Sequence, residues 1–158
     1  MKLAKVFKEN KQFTLFSILA LVVVGVAVFA PQIAPYDPLD AVMLESLQAP
    51  SSAHPFGTDK LGRDLLSRVI FGTRTSLVMT LCLVAVIFVI GTFLGIIAGY
   101  FGGIVDGVIM RIADMMISFP GLVLAIAIAG MLGPNLVNAV ISIAAVSWTK
   151  YALSLIHI

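Results

Sequence analysis

Two long stretches of this chain carry no charged side chain. They are Phe13 to Ala34, centred on LFSILALVVVGVAVFA, and Ser76 to Tyr100, SLVMTLCLVAVIFVIGTFLGIIAGY. A bilayer's hydrocarbon core is about 30 Å thick and takes roughly 20 apolar residues to cross as a helix. Both runs are long enough, the second with some tilt. A third uncharged run, Met115 to Leu132, is interrupted only by Pro120 and glycines; extended back to Gly107 it takes in Arg111 and Asp114. A fourth, Leu136 to Trp148, is short by itself and adequate once continued through Ala152. The alternation of a membrane barrel is missing, so helices are the spanning option. The expected fold is an all-α polytopic membrane protein with spans at 13–34, 76–100, 107–132 and 135–152.

Composition narrows the function classes. Of the 158 residues 60% are hydrophobic and only 11% are charged, against about 25% in soluble domains. That excludes a soluble enzyme and a disordered chain. A net charge of +2 is too small for a surface that tracks phosphates, so no nucleic-acid partner is expected. The single cysteine, Cys82, excludes an internal disulfide and a cysteine-built metal cage.

Lys2, Lys5, Lys8 and Lys11 face one acid, Glu9, in the first twelve residues. The positive-inside bias then places 1–12 in the cytoplasm as a basic tail. Cleavage as a signal peptide is disfavoured, because the apolar run is long and Pro31 follows the best small-residue site, Val28-Phe29-Ala30. Residues 35–75 then lie outside, the turn 101–106 inside, and 133–135 outside. Lys60, Arg63, Arg68 and Arg74 in the outer segment run against this orientation. They are diluted by its length and by Asp37, Asp40, Glu45, Asp59 and Asp64.

Five of the seven prolines fall between positions 31 and 55, which predicts an end to the first helix and an irregular stretch after it. Gly57-Thr58-Asp59 supplies turn and capping chemistry. Apolar residues at 61, 65, 66, 69 and 70 then predict a short amphipathic helix over about 58–71, either at the outer interface or as a solvated linker. His54 reads as an ordinary loop histidine. Gly91, Gly95 and Gly99 share a helix face where another backbone can approach, within the chain or in a second subunit. Arg111 and Asp114, three apart, are placed to pair. A charge at the bilayer centre costs about 2.5–3.5 kcal/mol, and a helix starting at Gly107 keeps Arg111 near the inner headgroups. The pair then anchors topology, or marks the mouth of a path or a partner contact. Pro120 is expected to kink the third span. The phosphate loop GxxxxGK followed by Ser or Thr does not occur, nor do GxGxxG, HExxH or GxSxG. No catalytic residue, cofactor or metal set is expected.

Several strings together resemble one family: APQIAPYDP after the opening helix, HPFGTDKLGRDLLSRVIFGTRTSL, GTFLGIIAGYFGGIVDGVIMRIADMMISFPGLVLAIAI, and VSWTKYA. They are similar to the C-type permease subunit of ATP-driven importers for dipeptides, oligopeptides and nickel, from about Phe13 to Ala152. The specific positions include Gly57, Thr58, Asp59, Gly62, Arg63, Asp64, Ser67 and Arg68. The resemblance implies a cell-membrane subunit of six helices, four of them present here, with both termini cytoplasmic. It also implies a homologous second permease, two ATP-binding subunits and an extracytoplasmic solute-binding protein as partners. The chain itself would do no covalent chemistry. The family's coupling loop, with its Glu-Ala-Ala…Gly pattern, follows the fourth helix and has no counterpart in this sequence. Residues 153–158 back-translate as CTG TCT CTT ATA CAC ATC, the opening of a transposon-end sequencing adaptor, so they are expected to be a non-native tail. The rival reading is an ion-coupled secondary transporter or channel, which would favour ionisable residues deep in the bundle.

Overall fold

The computed structural model describes residues 10–156. Most of the basic tail (1–9), together with His157 and Ile158, lies outside the described residues. The chain divides into two units, Met1–Val78 and Met79–Ile158, taken in turn below.

In the first unit, helix α1 runs over Lys11–Val28 and α2 over Ala30–Ile33. The expected span 13–34 is thus interrupted at Phe29. Pro31, in the first turn of α2, has no N–H to continue the ladder. Phe29 closes α1 by donating its N–H to the Gly25 carbonyl at 2.9 Å. Ala34 is extended, as a residue before proline prefers. An irregular strap follows, broken only by a 3-10 turn at Met43–Glu45.

Helix α3, Leu65–Phe101, has 37 residues, about 55 Å at 1.5 Å per residue. That exceeds a hydrocarbon core of about 30 Å, and the surplus carries Arg68 and Arg74 ahead of the uncharged run. The separate amphipathic helix expected over about 58–71 does not form. Its first residues, 58–64, are a tight loop, and its remainder is the continuous start of α3. The apolar spacing was helical, but side chains of Asp59 and Asp64 take the backbone N–H groups that an earlier helix start would need.

In the second unit, α3 ends at Phe101 and α4 begins at once over Gly103–Ser118, joined through Gly102 at φ +59. The turn expected over 101–106 is therefore shorter. Helix α5 is Gly121–Leu132 and α6 is Leu136–Ile156. The third expected span, 107–132, is two helices whose axes differ by 94°. Phe119 is extended ahead of Pro120 (ψ 146), so the ladder stops there instead of bending. By length and apolarity α1, α3 and α6 can each cross a membrane, and a fourth crossing arises only if α4 and α5 together count as one.

Small residues let these helices approach. Ala113, Trp148 and Ala152 form a buried cluster, with Leu94, Ile109 and Met116 packed on it. Gly91 and Gly95 are buried on α3, whereas Gly99 is exposed. A Cβ on Gly91 would stand 2.7 Å from Tyr151 Cβ and 3.0 Å from the Trp148 carbonyl, but one on Gly99 would meet nothing within 4 Å. Ala98, fully buried, takes the third place in the stripe, because seven residues bring a helix closer to its starting face than eight.

Gly91→Leu should therefore destabilise the second unit by about 1–3 kcal/mol, the usual cost of overpacking, and Gly99→Leu should not. Thermal unfolding in detergent checks this; equal melting of the two variants would refute close packing at Gly91.

Candidate functional site

The densest polar structure in the chain is a clasp that ties the strap to the head of α3. Thr58 and Asp64 form a single antiparallel bridge, and two glycines hold its corners. Gly62 sits at φ +75, and a Cβ there would be 1.8 Å from the Val42 carbonyl. Gly57, also at φ +75, would meet the Gln48 carbonyl at 2.4 Å. Both positions demand glycine on two counts, backbone sign and space.

Asp59 organises the loop. Its Oδ1 accepts the backbone N–H of Leu61 at 2.8 Å and of Arg63 at 3.1 Å. Its Oδ2 accepts Arg63 Nε at 2.9 Å and Nη2 at 2.8 Å, and also receives Arg68 Nη1. The Arg63 side-chain bond, with these backbone donors, holds the Asp59 carboxyl far below its ordinary range despite desolvation. Thr58 is buried; its hydroxyl accepts from Gln48 N–H at 2.9 Å and donates to the Glu45 carbonyl.

Asp64 is the buried centre, 2% exposed. Its Oδ2 accepts both the N–H and the hydroxyl of Ser67, each at 2.7 Å, and so caps the first turn of α3. Its Oδ1 receives His54 Nδ1 at 3.0 Å. Ser67, fully buried, accepts the Tyr36 N–H at 3.1 Å and pins the strap just after α2. His54, expected to be an ordinary loop residue, is buried here. Its Nε2 lies 3.3 Å from Glu45 Oε2, and its ring lies 4.9 Å from that of Tyr36. The hydrogen bond to Asp64 raises the His54 pKa against desolvation, and Glu45 adds to the rise. For Asp64, burial alone would raise the pKa; the Ser67 bonds and His54 outweigh it, and the net shift is downward.

All eight motif positions thus have a visible task in one clasp: the two glycine corners, Thr58, Asp59 with Arg63 and Arg68, and Asp64 with Ser67. Sequence spacing did not reveal His54, Tyr36 and Glu45, whose partners lie nine or more residues away. A small cavity bordered by Tyr36, Asp37, Asp40 and Glu45 opens beside them. Among the described residues no three His, Cys, Asp or Glu side chains are grouped to hold a metal. The Ser67 hydroxyl is fully buried, donating to Asp64 and accepting from Tyr36 N–H, so its task in the clasp is to set the strap on α3.

Other sequence candidates are in the second unit. Arg111 and Asp114 are both exposed on α4, and no ion pair joins them among the described residues. An exposed pair is worth too little to hold two long side chains together. Pro120 stands ahead of the first residue of α5, at the corner between two helices. Two polar atoms that the sequence did not single out, Thr92 Oγ1 and Asp106 Oδ1, are buried without a hydrogen-bond partner.

A helical, multi-pass membrane protein with a motif-built clasp is the class these features define. Residues 91–157 match the family described as binding-protein-dependent transport system inner membrane component. Residues 2–50 match the N-terminal TM domain of oligopeptide transport permease C. The chain is 39% identical over 151 residues to the dipeptide transport system permease protein DppC of Haemophilus influenzae, covering 92% of this chain and 51% of that protein. It is 41% identical to the glutathione transport system permease protein GsiD of Pectobacterium atrosepticum, over 84% of this chain and 44% of the relative. It is 40% identical to the nickel transport system permease protein NikC of Escherichia coli, over 75% of this chain and 43% of the relative. The chain spans about half the length of the curated relatives it matches. It belongs to the family of binding-protein-dependent inner-membrane transport components, among the C-type permeases.

Two measurements probe the clasp. Gly62→Ala should open it, seen as faster proteolysis between residues 40 and 62; unchanged cleavage would show that the Val42 contact does not constrain the loop. Its pH dependence follows from the two shifts. The raised His54 pKa gives stability that is complete below 6.5 and lost as pH climbs through the folded value. The lowered Asp64 pKa gives stability present above 3.8 and lost as pH falls through its folded value. Amide exchange of the strap should be slowest between those limits, and His54→Gln should remove the alkaline limb. An identical alkaline limb in that variant would assign it to another group.

Proposed function

We propose that this chain is part of the translocation path of an ATP-binding-cassette importer, working with a homologous permease, two ATP-binding subunits and an extracytoplasmic solute-binding protein. The carrying observation is that family matches cover residues 2–50 and 91–157, and that a 39% identical permease relative aligns over 92% of the chain. Cargo would be a short peptide or nickel, as the relatives' names suggest. The chain would contribute no covalent chemistry, and ATP hydrolysis would occur in the partners. Alternation between inward- and outward-facing states would be driven through subunit contacts. The N-terminus would be cytoplasmic and the strap with its clasp extracytoplasmic, supported by the four lysines of the first twelve residues. There the clasp would give the loop between α2 and α3 a fixed shape towards the side from which cargo arrives.

The rival, an ion-coupled carrier or channel, has little support. The runs 13–34 and 76–100 carry no Asp, Glu, Lys, Arg or His, and Arg111 and Asp114 lie exposed on α4. Co-purification from the native membrane with a tagged chain separates the two. An ATP-binding subunit and a second permease should come down with it, and uptake of labelled dipeptide or nickel should stop when ATP is depleted. Recovery of the tagged chain alone, with uptake following an ion gradient, would overturn the importer reading.

A further inference from the structure

Helix α4 is too different from its neighbours to be the first half of a crossing. Its 16 residues measure about 24 Å, at 1.5 Å each. They divide into three faces. Gly103, Gly107, Arg111, Asp114 and Ser118 recur every three or four residues and make one narrow polar stripe. Ile109, Ala113 and Met116 make a second face, packed on Trp148 and Ala152 of α6. Ile104, Val108, Ile112 and Met115 make a third, and it is bare: Ile104 is 86% exposed and Met115 59%.

The direction of α4 follows from its partners. Helix α6 is a crossing helix by length and apolarity. Helix α5 lies antiparallel beside it. At one end a Cβ on Gly121 would stand 3.4 Å from Val146 Cγ1, and at the other Asn138 donates to the carbonyls of Leu132 and Gly133 at 2.8 and 3.1 Å. A helix at 94° to α5 is therefore close to perpendicular to the crossing direction. Its beginning is fixed too. Helix α3 runs uncharged from Thr75 to its last residue, Phe101, and Gly102 turns the chain there, which sets the start of α4 at a bilayer edge.

We propose that α4 lies in the plane of the membrane as an interfacial helix, its bare apolar face occupied by lipid at the acyl–headgroup boundary and its polar stripe turned to the headgroups and water. The bilayer is then entered at Pro120, by α5. Three features agree on lipid as the occupant. Ile104, Val108, Ile112 and Met115 are all exposed, both ends of α4 are set at one level, and no charge falls on that face: Arg111 and Asp114 lie in the stripe and Asp106 on the opposite side. Arg111 and Asp114, which looked like charges inside a span, sit where charge is solvated, and the insertion penalty they would otherwise bring is absent. The proposal stands on the membrane assignment alone and is independent of cargo and of ATP.

Single cysteines in a Cys82→Ala background decide it, with the full chain in native membranes and in reconstituted vesicles. Gly107→Cys, Arg111→Cys and Ser118→Cys should react to similar extents with a membrane-impermeant maleimide from the same side. Gly107 has open space around its would-be Cβ, so that variant should fold. Spin labels at Ile104→Cys, Val108→Cys and Met115→Cys should report one common depth through their oxygen and aqueous-quencher accessibilities. Labelling that falls steeply from Gly107 to Ser118, about 16 Å apart along the helix, would make α4 a crossing segment and overturn the proposal. Even labelling of the stripe with no lipid exposure of the spin-labelled face would give that face to a protein partner, and would overturn lipid as its occupant.

Discussion

Hydrocarbon offers a peptide group no hydrogen bond, and an unpaired one there costs several kcal/mol. Every departure from straight helix in this chain is accompanied by a local substitute. At the α1–α2 break, the Phe29 N–H still reaches the Gly25 carbonyl, and Ile33 N–H returns to the Phe29 carbonyl at 3.0 Å. At the α5–α6 turn, Asn135 Oδ1 accepts Val137 N–H at 2.9 Å while Asn138 caps the end of α5. At Pro120 the missing donor coincides with a helix N-terminus, where the first N–H groups lack intrahelical partners in any case. In the second unit, Asn135 and Asn138 serve one of these joints.

The clasp meets the same requirement by other means. The strap has no ladder, so its backbone is paired by side chains that come mostly from a twelve-residue block. Asp59 and Asp64 serve the loop in complementary ways: one gathers two guanidinium groups, the other a serine and a histidine. Burying Asp64 would be costly alone. It is tolerable because four donors converge on the pair of carboxylate oxygens and their immediate neighbour, namely Ser67 twice, His54, and Tyr36 N–H on the Ser67 hydroxyl. Removing any one leaves a buried acceptor short of partners. That interdependence makes the clasp a single cooperative element, and it explains why its residues form a motif instead of being scattered.

The sequence disclosed the parts of this structure that rest on local rules. Uncharged length located α1, α3 and α6, and prolines located the end of the first helix and the corner at residue 120. Composition pointed to a membrane, and the missing barrel alternation to the all-α class. What it did not disclose depends on partners far along the chain. His54 looked idle because Asp64, ten residues away, and Glu45, nine away, are brought to it only by the folded loop. The helix start at Leu65 was read seven residues early because apolar spacing is blind to a carboxylate that competes for backbone N–H groups. A proline announces a break, but its angle of 94° is set by the packing of α4 and α5 on α6. Gly99 shared a face with Gly91 and Gly95 by simple counting, yet helix geometry hands that place to Ala98.

Shortness is the property of α5 that makes the corner informative. Its 12 residues reach about 18 Å, against a hydrocarbon layer of about 30 Å. With α4 at one membrane face, the turn Gly133–Asn135 stops short of the other face. Irregular backbone is tolerated at such depth only when protein buries it or it lines a watery space. The turn is equipped for that position: Asn138 satisfies two of its carbonyls and Asn135 one of its donors. A cavity bordered by Ile126, Gly130, Pro134 and Ala139 lies against it. Asparagines at 135 and 138, isolated in the most apolar half of the chain, are thus accounted for by the same geometry that lays α4 flat.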